Sequence, residues 1–358
     1  MRNTRFSAPD KAGALLLAVL SFTVCSESSA SDPTDPAPGS SITQVENFSN
    51  DPSTQGWIWF GDSSLFRWNS TNQNLEVTWD SSRSNSYLQL PLHTLLSPSD
   101  DFGVKLDLVL HDVEGGIRIE KPGPMQLAFG FQNRSDAQST RFNRGTGTDS
   151  PNLVEFNFFP DTGFGPTVWP AVYSTNSGMN YNGSGDFSVF DLPTGVTMHI
   201  ELAYASSNQT VWTSIRTNGA LVGPITSAIL ATNATSLSRP FTQFEVDTFT
   251  ISSYSDLELA PSPYAGSILA HGVIDNLVIT FPTPPIQQER FALTNDHWEQ
   301  SFLSRHAWSY VLQASADLQT WRNVTEVQKG TGGRLTFQDT NITQTHSYFY
   351  RIYASPAR

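Results

Sequence analysis

Short segments in which apolar and polar residues alternate, separated by clusters of turn formers, recur along most of the chain. Leu75, Val77 and Trp79 alternate with Asn74, Glu76 and Thr78, and the polar run 81–86 follows as a turn before alternation resumes at 87–92. Residues 104–110 alternate at first and then become continuously apolar. The segment 198–204 passes through Ser206, Ser207 and Asn208 into 210–216 and then meets Thr217-Asn218-Gly219. That order predicts a hairpin with a polar connection. Side chains of a strand point alternately to its two faces, so these patterns predict sheets with one buried and one open face. Turn clusters every ten or so residues argue for an all-β sandwich. Beyond the first thirty residues no stretch sustains a helical period.

The N-terminus has a different texture. Arg2, Arg5 and Lys11 precede an apolar stretch, 12–24, and Ser28-Ser29-Ala30 follows. A basic start, an apolar run and small residues predict a signal peptide over 1–30, cleaved near Ala30. The apolar run is too short to span a bilayer core of ~30 Å as a helix, and no later segment is long and apolar enough, so no transmembrane anchor is expected after cleavage. The expected location is secreted, periplasmic or cell-surface. Cys25 is the only cysteine and precedes the cut. The mature chain then has no disulfide, thiolate metal site or cysteine nucleophile.

Composition refines this picture. Of 358 residues, 38% are hydrophobic and 15% charged, with a formal net charge of −13. A core is available, and the surface is mainly neutral Ser, Thr and Asn. An acidic chain repels phosphate backbones, which argues against a nucleic-acid partner. The leader 31–41 is rich in Pro, Asp and Ser, with little to bury. A second proline cluster, Pro282-Thr283-Pro284-Pro285, precedes a change in strand pattern. The expected organisation is therefore a large sandwich over 42–282, a proline-rich linker at 283–288 and a small sandwich over 289–358.

Three segments carry a resemblance: MHIELAYASSNQTVWTSIRTNG (198–219), FEVDTFTISSYSD (244–256) and GSILAHGVIDNLVIT (266–280). In spacing and strand texture they resemble the concanavalin A-like lectin/glucanase jelly-roll, including its laminin-G-like members. The last two are also similar to a module of secreted proteins of Verrucomicrobia and Planctomycetes. The resemblance implies a jelly-roll with carbohydrate as ligand. The pattern YVLQASADLQTW … FQDT … YFYRI (310–352) resembles a small fibronectin type III-like sandwich, which implies that Trp321 and Tyr350 pack its core. VENFSNDPSTQGWIWF at one end and GVIDNLVIT at the other are similar to galactose-binding-like carbohydrate modules. That rival resemblance implies a structural calcium shared by Glu46 and Asp275; an exposed edge acid is the other reading of these residues.

Catalytic patterns are incomplete. A retaining glycosidase needs two carboxyl groups ~5–5.5 Å apart, and the related glucanases place them on one strand as Glu-x-Asp-x-(x)-Glu. Here Glu245-Val246-Asp247 begins the pattern, but Phe249 or Thr250 stands at the second Glu. Gly61-Asp62-Ser63 is similar to the nucleophile block of GDSL esterases, yet no histidine has an aspartate three positions before it. No His-x-x-x-His is present for a transition metal. Sugar sites in sandwiches combine an aromatic plane with amides and carboxylates. Trp169 and Tyr173 share a face by period 2, and Asn157 and Glu155 share a face of the preceding strand. Trp169, Tyr173 and Asn157, with Glu245 and Asp247, form the candidate ligand-binding set. The expected function is a non-catalytic exported binding protein for polysaccharide or a cell-surface glycan. An enzyme with an unrecognised carboxylate pair and a purely structural surface protein remain the alternatives.

Overall fold

The computed structural model describes residues 41–81, 83–115, 127–139, 151–160, 165–173, 188–223, 225–229, 243–254, 268–293, 297–340 and 349–357. The expected signal peptide and most of the leader lie outside these residues. Ala37–Arg358 form one compact unit.

Two large antiparallel sheets build the first sandwich. In the nine-stranded sheet the order is Ala220–Leu221, Thr210–Thr217, Thr197–Ala205, Phe102–Gly115, Ile268–Pro282, Asn74–Asp80 and Phe66–Asn69. Ser41–Glu46 also pairs with Ile268–Pro282, and Thr226–Ile229 with Thr210–Thr217. The seven-stranded sheet runs Ser188–Val189, Thr167–Tyr173, Leu153–Phe159, Leu127–Gln132, Val246–Ser253, Ser86–Leu96 and Ile58–Phe60. The predicted hairpin forms, with Ala205 opposite Thr210.

Period-2 alternation survives intact in the Asn74–Asp80 strand of the nine-stranded sheet. Leu75, Val77 and Trp79 are buried, and their neighbours Asn74, Glu76, Thr78 and Asp80 are half-buried. The seven-stranded sheet departs from the expectation of one open face. Leu127–Gln132 is buried at every position, and so is Val246–Ser253 except for Asp247. Its inner rows are apolar, as in Leu90–Phe249–Phe131–Val154–Val172, paired across five strands. Its outer rows carry small or neutral polar side chains such as Thr250, Gly130, Ser252 and Ala128. A face of that composition can be buried without isolating many charges, which sequence alternation alone did not reveal.

The C-terminal strands build two smaller sheets, Ile286–Leu293 with Trp298–Ser304 and Arg334–Asp339, and Trp308–Ser315 with Arg322–Asn323, Gln328–Lys329 and Phe349–Pro356. Phe302, Trp308, Tyr310, Leu312 and Phe337 form their core, with Tyr350 packed against it. Tyr350 stacks on Trp298 at 5.1 Å. Trp321 lies outside that core: it is half-buried, and the Arg351 guanidinium lies 4.0 Å from its ring centroid. A cation–π contact therefore takes the place of the core packing that the resemblance implied.

A buried ion pair joins the small sheets to the large sandwich. Arg305 and Asp100 are only 8% and 5% exposed, and the guanidinium Nη2 meets the Asp100 carboxylate. Arg305 Nη1 also donates to Thr94 Oγ1 (3.3 Å) and to the Thr283 carbonyl (3.2 Å). Asp100 accepts from the Ser97 N–H (2.8 Å) and Ser97 Oγ (3.0 Å). Tyr310 locks the backbone beside it: its hydroxyl accepts from the Arg305 N–H (2.7 Å) and donates to the Pro285 carbonyl (2.7 Å). Burial pushes the Tyr310 phenol up to about 12. Gly330 closes against the same segment, where a Cβ would stand 1.9 Å from the Arg305 carbonyl oxygen.

Removing one partner of a buried pair leaves an uncompensated charge. Arg305→Ala is expected to cost about 3–5 kcal/mol by denaturant titration. The double replacement Arg305→Met with Asp100→Leu is expected to recover much of that loss. Equal midpoints for the single variant and the parent would refute the role assigned to this pair.

Candidate functional site

The outer face of the seven-stranded sheet carries a buried polar layer. One row reads Ile58–Gln89–Thr250–Gly130–Glu155–Ala171 across six strands. On one side lies Pro91–Thr248–Gln132–Leu153–Tyr173, and on the other Phe60–Tyr87–Ser252–Ala128–Asn157–Trp169. Hydrogen bonds tie these rows together. Tyr254 OH donates to Glu155 Oε2 (2.7 Å), and Gln132 Nε2 donates to Tyr254 OH (2.8 Å) and Ser252 Oγ (3.2 Å). Gln89 Oε1 accepts from Gln138 Nε2 (2.8 Å). An aromatic edge adjoins them: Phe60 stacks on Tyr87 at 5.5 Å, and Tyr87 meets Tyr254 edge-on at 5.9 Å.

Three atoms in this buried layer have no hydrogen-bond partner: Gln89 Nε2, Thr250 Oγ1 and Gln132 Oε1. A buried polar atom left unsatisfied costs about 1–3 kcal/mol, so three on one face demand an explanation.

At one end the face runs into a cleft of about 1260 Å³, walled on its far side by the C-terminal strands. Pro91, His93, Arg134, Glu245, Asp247 and Thr248 line the near wall, with Trp308, Ser309, Tyr353 and Ser355 opposite. Asp247 Oδ1 accepts from the Arg134 N–H (2.9 Å) and Thr248 Oγ1 (2.8 Å). Asn133 caps the same short helical turn by accepting from the Asp136 N–H (3.2 Å). Asn152 Oδ1 accepts from the Glu245 N–H (2.8 Å). Together these bonds hold the Arg134 turn against the start of the Val246–Ser253 strand. Arg134 Nε is buried without a hydrogen-bond partner.

The candidate residues thus fall in two adjoining places. Asn157, Trp169 and Tyr173 are on the outer face, where Asn157 pairs directly with Trp169 and donates to its carbonyl (3.3 Å). Tyr173 packs with Leu153 and Ala171. Glu245 and Asp247 lie in the cleft at the end of the same sheet. Gln89, Gln132, Thr250, Arg134 and His93 escaped the sequence reading. Ala128-Gly130-Gln132, small and polar at alternate positions of an otherwise apolar strand, was the signal that could have found part of this layer.

Glu46 and Asp275 are on the nine-stranded sheet. Glu46 accepts from the Phe48 N–H (2.7 Å) and Trp57 Nε1 (3.1 Å). Asp275 pairs across strands with Asp107 and accepts from the Asn276 N–H (2.7 Å). Asn276 adopts a positive φ of 50° at a register shift and donates to Asp107 Oδ2 (2.8 Å). His199 Nδ1 contacts the other Asp107 oxygen. Among the described residues, no group of three or more His, Cys, Asp or Glu is placed to hold a metal ion.

No family model and no curated protein matches the chain. Among solved structures it is similar to peanut lectin (14% identity, 68% of this chain and 97% of that one, TM-score 0.38). It is also similar to lectin I of Ulex europaeus, solved with the methyl glycoside of α-L-fucose (12%, 67% and 98%, TM-score 0.41), and to the carbohydrate recognition domain of Emp47p (9%, 62% and 88%, TM-score 0.36). At these TM-scores the likeness assigns neither a family nor a ligand to this chain.

Burial, followed by the charges of Asp107 and Glu46, raises the Asp275 pKa against the opposing Asn276 hydrogen bond. A carboxyl whose folded pKa is raised makes ionisation cost stability, so the cost is present above its folded pKa and vanishes as pH falls below the usual carboxylate range. Asp275→Asn is therefore expected to raise the thermal midpoint at neutral pH with a chelator present, and to leave it unchanged near pH 3. A lower neutral midpoint in the variant would show that the ionised acid stabilises the fold.

Proposed function

We propose that this protein is an exported, non-catalytic carbohydrate-binding protein that holds a glycan in the cleft between the large sandwich and the C-terminal strands. The observation that carries the reading is the cleft itself, about 1260 Å³ and lined by hydroxyls, carboxylates, an amide and a guanidinium alongside Trp308 and Tyr353. Ligand pockets span roughly 300–1,000 Å³, so this one has room for several sugar rings. Sugar hydroxyls require donors and acceptors together, and their ring faces pack on aromatic planes.

The carboxylates support binding over hydrolysis. Asp247 is engaged by the Arg134 N–H and by Thr248. Phe249 is fully buried in the core, and Thr250 points a hydroxyl where a second acid would be needed. Export is supported by the basic, apolar and small-residue order of 1–30. No helix among the described residues is long and apolar enough to cross a membrane.

A glycan array probed with the mature chain tests this reading, and signal on a defined set of plant, algal or bacterial polysaccharides is expected. Tyr353, 49% exposed on the cleft wall, offers a variant that should fold. Tyr353→Ala is expected to weaken array binding about tenfold, in line with the loss of one stacking contact of ~1–1.5 kcal/mol. A flat array, or release of reducing ends from a bound polysaccharide, would overturn the proposal.

A further inference from the structure

We infer that the binding surface continues out of the cleft, past Tyr353, into a hollow on the open face of the sheet that contains Trp308–Ser315 and Phe349–Pro356. Its ligand is then a linear, neutral polysaccharide with one ring seated in that hollow. The inference rests on the carbohydrate-binding reading and deepens it by naming a further subsite and the shape and charge of the chain that would fill both.

The hollow has a volume of about 150 Å³, and a cavity of that size admits a six-membered ring. Ser309, Val327, Tyr353 and Ser355 line both the hollow and the cleft, so the two are continuous. Val311, directly opposite Tyr353 in the sheet, forms the floor, and Gln313 and Asn323 close the far side. Ser309, Val311 and Gln313 share one face by period 2, as do Ser355, Tyr353 and Arg351 on the neighbouring strand. From Ser355 in the cleft to Arg351 beside Gln313 that strand covers ~13 Å. Tyr353 and Val327 are 49% and 59% exposed at the boundary between the two spaces. They offer water-facing apolar surface on which a ring face can pack.

The polar side of the hollow is held in place by a relay. Arg351 Nε donates to Gln313 Oε1 (2.9 Å), and Gln313 Nε2 donates to Asn323 Oδ1 (2.9 Å). With both amide oxygens engaged, the N–H groups of Asn323 and the second N–H of Gln313 remain to donate to a ligand. The hydroxyls of Ser309 and Ser355 supply acceptors beside Tyr353. Donors, acceptors and an aromatic face around a ring-sized space suit a sugar unit. Charge narrows the class. The residues lining the hollow carry none, and the Arg351 charge is already engaged by Trp321 and Gln313. In the cleft the Glu245 and Asp247 carboxylates outnumber the Arg134 guanidinium, a balance that disfavours an anionic chain. A hollow of this size, closed by Gln313 and Asn323, leaves no room for a side branch.

The test is calorimetric titration of the full mature chain with the linear tri- and hexasaccharides of cellulose, xylan, mannan and galactan, and with hexagalacturonate. The parent is expected to bind a neutral hexasaccharide more tightly than the matching trisaccharide, which the cleft alone accommodates. Asn323 is exposed and Gln313 half-buried, so Asn323→Ala and Gln313→Leu should keep the thermal midpoint close to the parent's. Each should weaken the hexasaccharide about fivefold, the loss of one hydrogen bond, and leave the trisaccharide unchanged. Tyr353→Ala, which borders both spaces, should weaken both lengths. Hexasaccharide binding that is weakened by Tyr353→Ala but is unchanged in both Asn323→Ala and Gln313→Leu would overturn the hollow and leave the cleft reading intact. Equal loss at both lengths in those two variants would overturn it as well. Tighter binding of hexagalacturonate than of every neutral chain would overturn the neutral class, and tighter binding of a galactosyl-branched mannan than of the linear one would overturn the linear shape. No binding of any oligosaccharide, together with a flat array, would sink both readings.

Discussion

Everything in the large sandwich depends on the register of one sheet buried on both faces. Leu90, Phe249, Phe131 and Val154 turn inward, while Gln89, Thr250 and Glu155 turn the other way, each one residue along its strand. A slip by a single residue would put a carboxylate, an amide and a hydroxyl into the apolar core and bring four large hydrophobic side chains into the polar layer. Few sheets are so constrained, because most antiparallel sheets have one face in water, where errors cost less. The same constraint fixes the polar side chains to the geometry of the backbone. They are held by ladder hydrogen bonds in place of mobile loops, so the layer is preorganised.

Much of the fold was legible in the sequence, for physical reasons that particular residues illustrate. Asn74–Asp80 alternates cleanly because one of its faces packs in the core and the other carries Glu76 and Thr78, and the Thr197–Ala205 hairpin announces itself through its Ser-Ser-Asn connection. The outer face of the seven-stranded sheet was harder to read. Gly130, Ala128 and Ser252 are small and uncharged, and such residues fit either an open or a covered face. Glu155 and Asn157 were recognised as sharing a face, but Tyr254, which donates to Glu155, lies 99 residues later in the chain, and Gln132 and Thr250 come from other strands of the sheet. Only the pairing of strands brings them together. Glu245 and Asp247 suggested a broken catalytic motif; in the structure, the most visible task of Asp247 is to hold the Arg134 turn. Arg134 itself carried no sequence signal, since a lone arginine in an acidic chain is most often a surface charge.

The Arg305–Asp100 pair has a thermodynamic consequence for any molecule that occupies the cleft. Asp100 follows the Ser86–Leu96 strand, which supplies Pro91 and His93 to the cleft wall and Thr94 to the Arg305 guanidinium. The wall that would meet a ligand and the anchor that holds the C-terminal strands are thus parts of one stretch of backbone. An occupant of the cleft stabilises the native state by an amount set by its concentration relative to its dissociation constant. Through that shared strand, such stabilisation would extend from the large sandwich to the C-terminal strands. Scarcity of ligand would then be felt far from the cleft, as faster opening and proteolytic loss of the C-terminal strands.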